Sequence, residues 1–249
     1  MIKYIGKCLL IEKEKEKVVV IGDVHLGAGR EIEGINIGGE MEKEMIEELE
    51  LVFDRIISDG AGGKGEIVDK IVLLGDLKNE FSHLMKEEKY GLVNLFDYLE
   101  EKCKEIIIIR GNHDNYLLQF LEKRGIKIYD YYFWNEYCFL HGDKDYKEIY
   151  DKEIRVWIMG HLHPAISLRE GVKAEKYKCF LKGKFKGKEI IILPSFADIN
   201  EGIDVSFFEQ NESWLAWRFD LKKFEVKIVG EKNEVLDFGV LSKIKKLYD

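Results

Sequence analysis

Short, uninterrupted runs of β-branched and aliphatic residues recur along the chain: Val18 to Ile21, Ile71 to Leu74, Ile106 to Ile109, Tyr137 to Leu140, Val156 to Met159 and Ile190 to Leu193. Successive side chains of a strand leave opposite sides of the backbone, so a run with no polar alternation suits a strand covered on both faces. Helical patterns lie between the runs. Met41, Met45, Ile46, Leu49, Val52, Phe53, Ile56 and Ile57 fall at helical spacing with Glu and Lys opposite, which predicts an amphipathic helix ending before the glycine-rich stretch Gly60 to Gly65. Leu92, Val93, Leu95, Phe96 and Leu99 predict a second helix, and Tyr116, Leu117, Phe120 and Leu121 a shorter third. Strand and helix alternate, which defines an α/β class.

From Lys173 onward the pattern becomes β-rich. It predicts one hairpin from Lys176 to Lys182 and Lys188 to Leu193 around a Gly183 to Gly187 turn, and another from Glu225 to Val229 and Val235 to Phe238 around Gly230 to Glu234. A last helical stretch carries Val240, Leu241, Ile244 and Leu247. No internal repeat, low-complexity segment or Pro-rich linker marks a boundary, so one domain over residues 1–249 with a β-rich C-terminal third is the simplest reading.

Charge and composition narrow the function classes. With 39 Lys plus Arg against 47 Asp plus Glu, a net charge of −8, the whole surface is no glove for nucleic acid or anionic lipid, although a local basic patch remains open. No apolar run approaches the roughly 20 residues of a bilayer-spanning helix, and the N-terminus lacks a secretory pattern, so a cytoplasmic protein without membrane contact is expected. Cys8, Cys103, Cys138 and Cys179 form no C-x-x-C pair and read as small buried hydrophobes.

Five of the six histidines directly follow a predicted strand: Asp23-Val24-His25, Gly111-Asn112-His113-Asp114, His141-Gly142-Asp143 and Gly160-His161-Leu162-His163. The strand ending at Leu74 leads into Gly75-Asp76 in the same way. Ligands of α/β sheets collect at the carboxyl ends of strands, so five segments would deliver Asp, His and Asn to one edge. Imidazole nitrogens with carboxylate and amide oxygens, and no thiolate, suit Mn, Fe, Zn, Co or Ni. Seven such ligands are too many for one ion that keeps open positions for substrate, so two divalent cations are expected. Asp76 is the natural bridge, because one carboxylate can bind both. Such a pair clamps the attacking and leaving oxygens of an in-line displacement on a phosphate ester.

The ordered set Asp23-x-His25, Gly75-Asp76, Gly111-Asn112-His113-Asp114, His141-Gly142 and Gly160-His161-x-His163 resembles the signature of the calcineurin-like metallophosphoesterases, from about Ile21 to Pro164. The contexts Gly75-Asp76-Leu77-Lys78-Asn79-Glu80-Phe81, Gly160-His161-Leu162-His163-Pro164 and Leu193-Pro194-Ser195-Phe196 look like those of archaeal SbcD-related phosphoesterases. The resemblance implies a four-layer fold, two packed mixed sheets flanked by helices. It implies that Asp23, His25 and His163 hold one metal, Asn112, His141 and His161 the other, and Asp76 both. It implies that His113 contacts the phosphate and protonates the leaving oxygen, with Asp114 orienting its imidazole. Many relatives carry a second Asp where this chain has Asn79, which points to an altered hydrogen bond beside the site.

The expected activity is a dinuclear-metal-dependent phosphodiesterase, with Mn preferred, acting as a nuclease on DNA or RNA. The alternatives are a phosphomonoesterase or small cyclic-nucleotide phosphodiesterase and, third, an inactive scaffold of the same fold. Arg110 is a candidate phosphate contact or else a solvating charge at a strand end. Arg169 to Lys188 carries eight cationic side chains against Glu170 and Glu175, a candidate nucleic-acid track or else a solvated hairpin face. His83 matches no motif, and Asp143 reads as a turn cap. Phe207, Phe208, Trp214, Trp217 and Phe219 suggest core or homodimer packing.

Overall fold

The computed structural model describes residues 1–27, 31–32, 35–36, 38–59, 67–81, 83–170, 173–198, 201–207 and 215–248. The chain opens as an antiparallel meander of β1 (Ile2–Ile5), β2 (Cys8–Lys13) and β3 (Glu16–Ile21), followed by a small pair, β4 (Glu31–Ile32) and β5 (Ile35–Asn36). Then come α1 (Gly38–Asp59), β6 (Val68–Leu73), α2 (Lys86–Glu100), β7 (Cys103–Ile109), α3 (Leu118–Lys123) and β8 (Ile128–Tyr129). The first sheet has the order β1-β2-β3-β6-β7-β8, parallel from β3 onward.

The second sheet is built from β9 (Tyr131–Trp134), β10 (Tyr137–Leu140), β11 (Val156–Met159), β12 (Pro164–Glu170), β13 (Lys173–Phe185), β14 (Lys188–Ile192), β15 (Ile203–Asp204), β16 (Glu225–Val229) and β17 (Val235–Val240). Its order is β15-β12-β13-β14-β11-β10-β9, with β16 and β17 branching from β13. Within it β10, β11 and β14 run parallel, and α4 (Leu241–Tyr248) closes the described chain.

The apolar runs are explained by the two sheets packing face to face. Val18, Val20, Val72, Leu74, Ile107 and Ile109 point inward against Phe139, Ile158, Ile191 and Leu193. Their neighbours Val19, Ile21, Ile71, Leu73 and Ile108 point the other way, onto Leu49, Val52 and Phe53 of α1 and Leu92, Leu95 and Phe96 of α2. The far face of the second sheet, with Leu140, Trp157, Met159 and Ile192, is covered by Leu221, Phe224, Leu241 and Ile244. Four layers result, as expected. The outermost, however, consists largely of short 3-10 turns such as Leu215–Arg218 and Leu221–Lys223, with α4.

Two details differ from the sequence-based expectation. The first hairpin does not turn over Gly183 to Gly187: β13 runs through Gly183 to Phe185, and the turn is Lys186-Gly187, both left-handed. Gly183 is needed inside the strand because a Cβ there would lie 2.4 Å from the Phe224 ring. The aromatic stretch also divides. Phe219 is buried against Phe185 and Phe224, and Phe207 is exposed. Phe208, Trp214 and the Trp217 side chain lie outside the described residues. The Gly60 to Gly65 stretch lies outside them too. All four cysteines are free and buried, and no helix among the described residues is long and apolar enough to cross a membrane.

Candidate metal centre

The seven expected ligands leave the carboxyl ends of five strands in both sheets: Asp23 and His25 after β3, Asp76 after β6, Asn112 after β7, His141 after β10, His161 and His163 after β11. Bringing these loops together requires close backbone approach. A Cβ on Gly111 would lie 2.2 Å from Asp76 Oδ1, and one on Gly160 would lie 2.3 Å from Asp23 Oδ2, which explains the glycines beside the ligands. His25, Asp76, His161 and His163 all adopt left-handed backbone, at φ 44, 50, 65 and 46. Non-glycine residues in this region cost energy and cluster at functional sites.

Asp23, His25, Asp76 and His163 each offer a donor atom within 4.8 Å of the others, and Asp76, His141 and His161 form a second such set. Asp76 belongs to both. Within the first set His25 Nε2 lies 3.2 Å from His163 Nε2, and His163 Nε2 lies 3.2 Å from Asp23 Oδ1. Around the second, His141 Nε2 is 3.0 Å from Asn112 Oδ1, 3.0 Å from His161 Nδ1 and 3.4 Å from Asp76 Oδ2. His141 Nδ1 donates to the Leu74 carbonyl at 2.7 Å, which turns its Nε2 toward these oxygens. Imidazole nitrogens with carboxylate and amide oxygens, gathered at this spacing without a thiolate, are the donors that divalent transition-metal ions take, so this set fits two such ions.

The protonation states agree. Burial disfavours the charged forms of His25 and His161, carrying them down to about 4 and about 3, so both are neutral donors at pH 7. Burial works against ionisation of Asp23 and Asp76 too, but the neighbouring histidines outweigh it and hold both well below the usual carboxylate range. His141 goes the other way: burial opposes its charge, yet Asp76 and Asp23 lift it to about 10, the sign of a site that attracts positive charge.

His113 lies at the same centre without joining either set. Its Nδ1 donates to the Asn79 carbonyl at 2.7 Å, and its Nε2 faces Asp76 Oδ2 at 3.9 Å. Asn79 therefore meets His113 through its backbone oxygen. Asp114, expected to orient His113, makes its hydrogen bonds elsewhere among the described residues. Its carboxylate is buried and accepts the backbone N–H groups of Gly111 and Asp76, both at 2.8 Å, and of Leu77 at 2.7 Å. Three amide donors occupy most of its roughly four acceptor sites, and it ties the β6 and β7 loops together. Burial, then Asp76, pushes it up to about 6. Arg110 lies at the surface with its Nε 3.6 Å from Asp130 Oδ1.

Two lysines escaped the sequence reading. Lys7 is only 4% exposed, and its ammonium reaches the Phe196 carbonyl at 2.8 Å, Asp198 at 2.6 Å and Glu48 at 2.6 Å. Lys178 bonds the carbonyls of Ser195, at 2.8 Å, and Ala197. The loop they grip clasps Asp23 in turn: Ser195 Oγ at 3.1 Å, Phe196 N at 2.9 Å and Ala197 N at 3.3 Å all donate to the Asp23 carbonyl. No local pattern announces such a contact across more than a hundred residues. Lys178 reads as one more charge of the basic segment.

That segment presents no continuous cationic track among its described side chains. Lys178 and Lys188 are turned inward, Lys188 onto the carbonyls of Asp151 and Ile154. Lys173, Lys176 and Lys182 pair with Glu175, Glu201 and Glu189, and Lys186 lies over the rings of Tyr150 and Phe185. Lys184 is exposed.

An α/β sandwich with two sets of Asp and His donors at one strand edge defines a metal-dependent phosphoesterase. Residues 16–229 match the Calcineurin-like phosphoesterase family, and the chain belongs to that family and is a hydrolase. No curated protein matches it. Among solved structures it is similar to the nuclease MPE of Pseudomonas putida, with 15% identity over 93% of this chain and 100% of that one at a TM-score of 0.57. Similarity extends to a mutant Vps29 from Entamoeba histolytica, at 12% identity, 89% and 99% coverage and a TM-score of 0.37. A predicted phosphoesterase from Streptococcus pneumoniae shows 15% identity, 88% and 94% coverage and a TM-score of 0.34.

Proposed function

We propose that the chain is a phosphodiesterase, similar to the SbcD-related phosphoesterases, that uses two divalent cations, Mn²⁺ by preference, to hydrolyse DNA or RNA in the cytoplasm. The observation that carries the reading is the convergence of the two donor sets on Asp76 with His113 beside them. Asp23, His25 and His163 would hold one ion, Asn112, His141 and His161 the other, and Asp76 both. Bound, the ions supply Lewis-acid activation of the phosphoryl group and of the attacking water. His113 handles the leaving oxygen. Because its Nδ1 proton is committed to the Asn79 carbonyl, the proton an imidazolium gives up is the one on Nε2, which faces the site. The buried free cysteines suit a reducing compartment.

A second reading, a small phosphate ester as substrate, is favoured by the internal pairing of the basic segment's lysines. Assays under added Mn²⁺ separate the two. Cleavage of single- or double-stranded oligonucleotides and of bis-p-nitrophenyl phosphate is expected. Turnover confined to p-nitrophenyl phosphate or cyclic nucleotides would displace the polynucleotide reading.

A further inference from the structure

We infer that Phe81 is a specificity-determining residue: it offers a stacking face to the planar base of the nucleoside that leaves when the phosphodiester is cut. The inference rests on the phosphodiesterase reading above and names the group beside the scissile bond. The Phe81 ring lies over the His113 imidazole with centroids 3.6 Å apart and planes inclined by 35°. His113 is fixed by the same loop, through the Asn79 carbonyl two residues before Phe81. Its ring also meets His25 edge-on at 5.0 Å. Phe81 therefore spends one face on His113, and the residue is still 51% exposed.

That placement has a consequence for substrate. A general acid works within about 2.6–3.2 Å of the oxygen it protonates, so the leaving oxygen sits beside His113 and its sugar lies within reach of Phe81. A base carried by that sugar can stack offset on the open ring, at the roughly 4.5–7 Å centroid spacing that aromatic pairs prefer. Stacking is tolerant of base identity and needs no cationic track. Tyr116 adds a ring on the loop that carries His113. It is 68% exposed, and its backbone is left-handed at φ 70, an uncommon cost for a bulky residue.

The test compares Mn²⁺-loaded parent and variants on short oligonucleotides with one cleavable phosphodiester, whose leaving nucleoside either bears a base or is abasic. The parent should prefer the base-bearing substrate by about tenfold in kcat/KM. Phe81→Leu, which keeps apolar cover on His113 but has no aromatic face, should bring the ratio close to one, and Phe81→Tyr should restore it. A Phe81→Leu variant that slows both substrates equally and keeps the ratio would mean that Phe81 only packs His113, and the inference would be overturned. A parent without preference would overturn it as well. Fluorescence of 2-aminopurine at the leaving position gives a readout that does not need turnover: quenching in the parent and recovery in Phe81→Leu support stacking. If the parent cuts no oligonucleotide, the polynucleotide reading fails, while quenching that depends on Phe81 would still uphold the stacking face and its absence would remove it.

Discussion

His113 and Asp76 are hydrogen-bonded neighbours, the His113 backbone N–H donating to Asp76 Oδ1 at 2.9 Å, yet their loss should have opposite consequences. Asp76 belongs to both donor sets, so Asp76→Ala should empty both, read as metal content after gel filtration. His113→Ala should keep its metal and lose turnover by about 10²-fold or more, the share of a general acid. Asp114 separates a structural from a catalytic role. An asparagine can offer only one oxygen to the three amides that Asp114 accepts, so Asp114→Asn should cost about 1–3 kcal/mol in urea unfolding. If it instead altered the pH profile of turnover with stability unchanged, Asp114 would be acting on His113 after all. That the seven candidate ligands gather at one edge was legible in the sequence because each follows a strand run in a polar cluster. The partner of Asp114 was not, because backbone amides carry no residue identity, and which of them meet a carboxylate depends on how two loops approach.

Among the elements, the loop after β14 does the most for its length. Lys7 and Lys178 hold its carbonyls while its amides hold Asp23, so Lys7→Met or Lys178→Met should leave buried carbonyls without a donor. A loss of about 1–3 kcal/mol in unfolding is expected, together with weaker Mn²⁺ binding on titration. Lys184→Glu on the exposed part of the hairpin should stay within about 0.5 kcal/mol. Gly183→Ala, by contrast, would drive a Cβ into Phe224 and should cost about 1–3 kcal/mol in the same assay. Strands such as β10 and β11 were read with their observed ends because their apolar runs stop at glycine or polar residues. The 13-residue β13 was cut short in that reading because a glycine signals a turn locally, and only the Phe224 ring, brought by a distant segment, explains one inside a strand.

At the scale of the whole molecule, the ligands belong to two sheets that share an apolar face. His163 lies 138 residues beyond His25, and the two imidazoles meet only when the sheets pack. Cation binding must therefore stabilise the packed sandwich over the unfolded chain. One site held at a hundredfold its Kd adds about 2.7 kcal/mol, or about 5–10 °C in Tm for a chain of this size. Chelation should reverse that gain in a calorimetric scan. The most direct test is anomalous scattering from crystals saturated with Mn²⁺. Two peaks roughly 3–4 Å apart are expected, with the Asp76 carboxylate between them, His25 and His163 on one side and His141 and His161 on the other. A single peak, or none, at full saturation would contradict the two-cation centre.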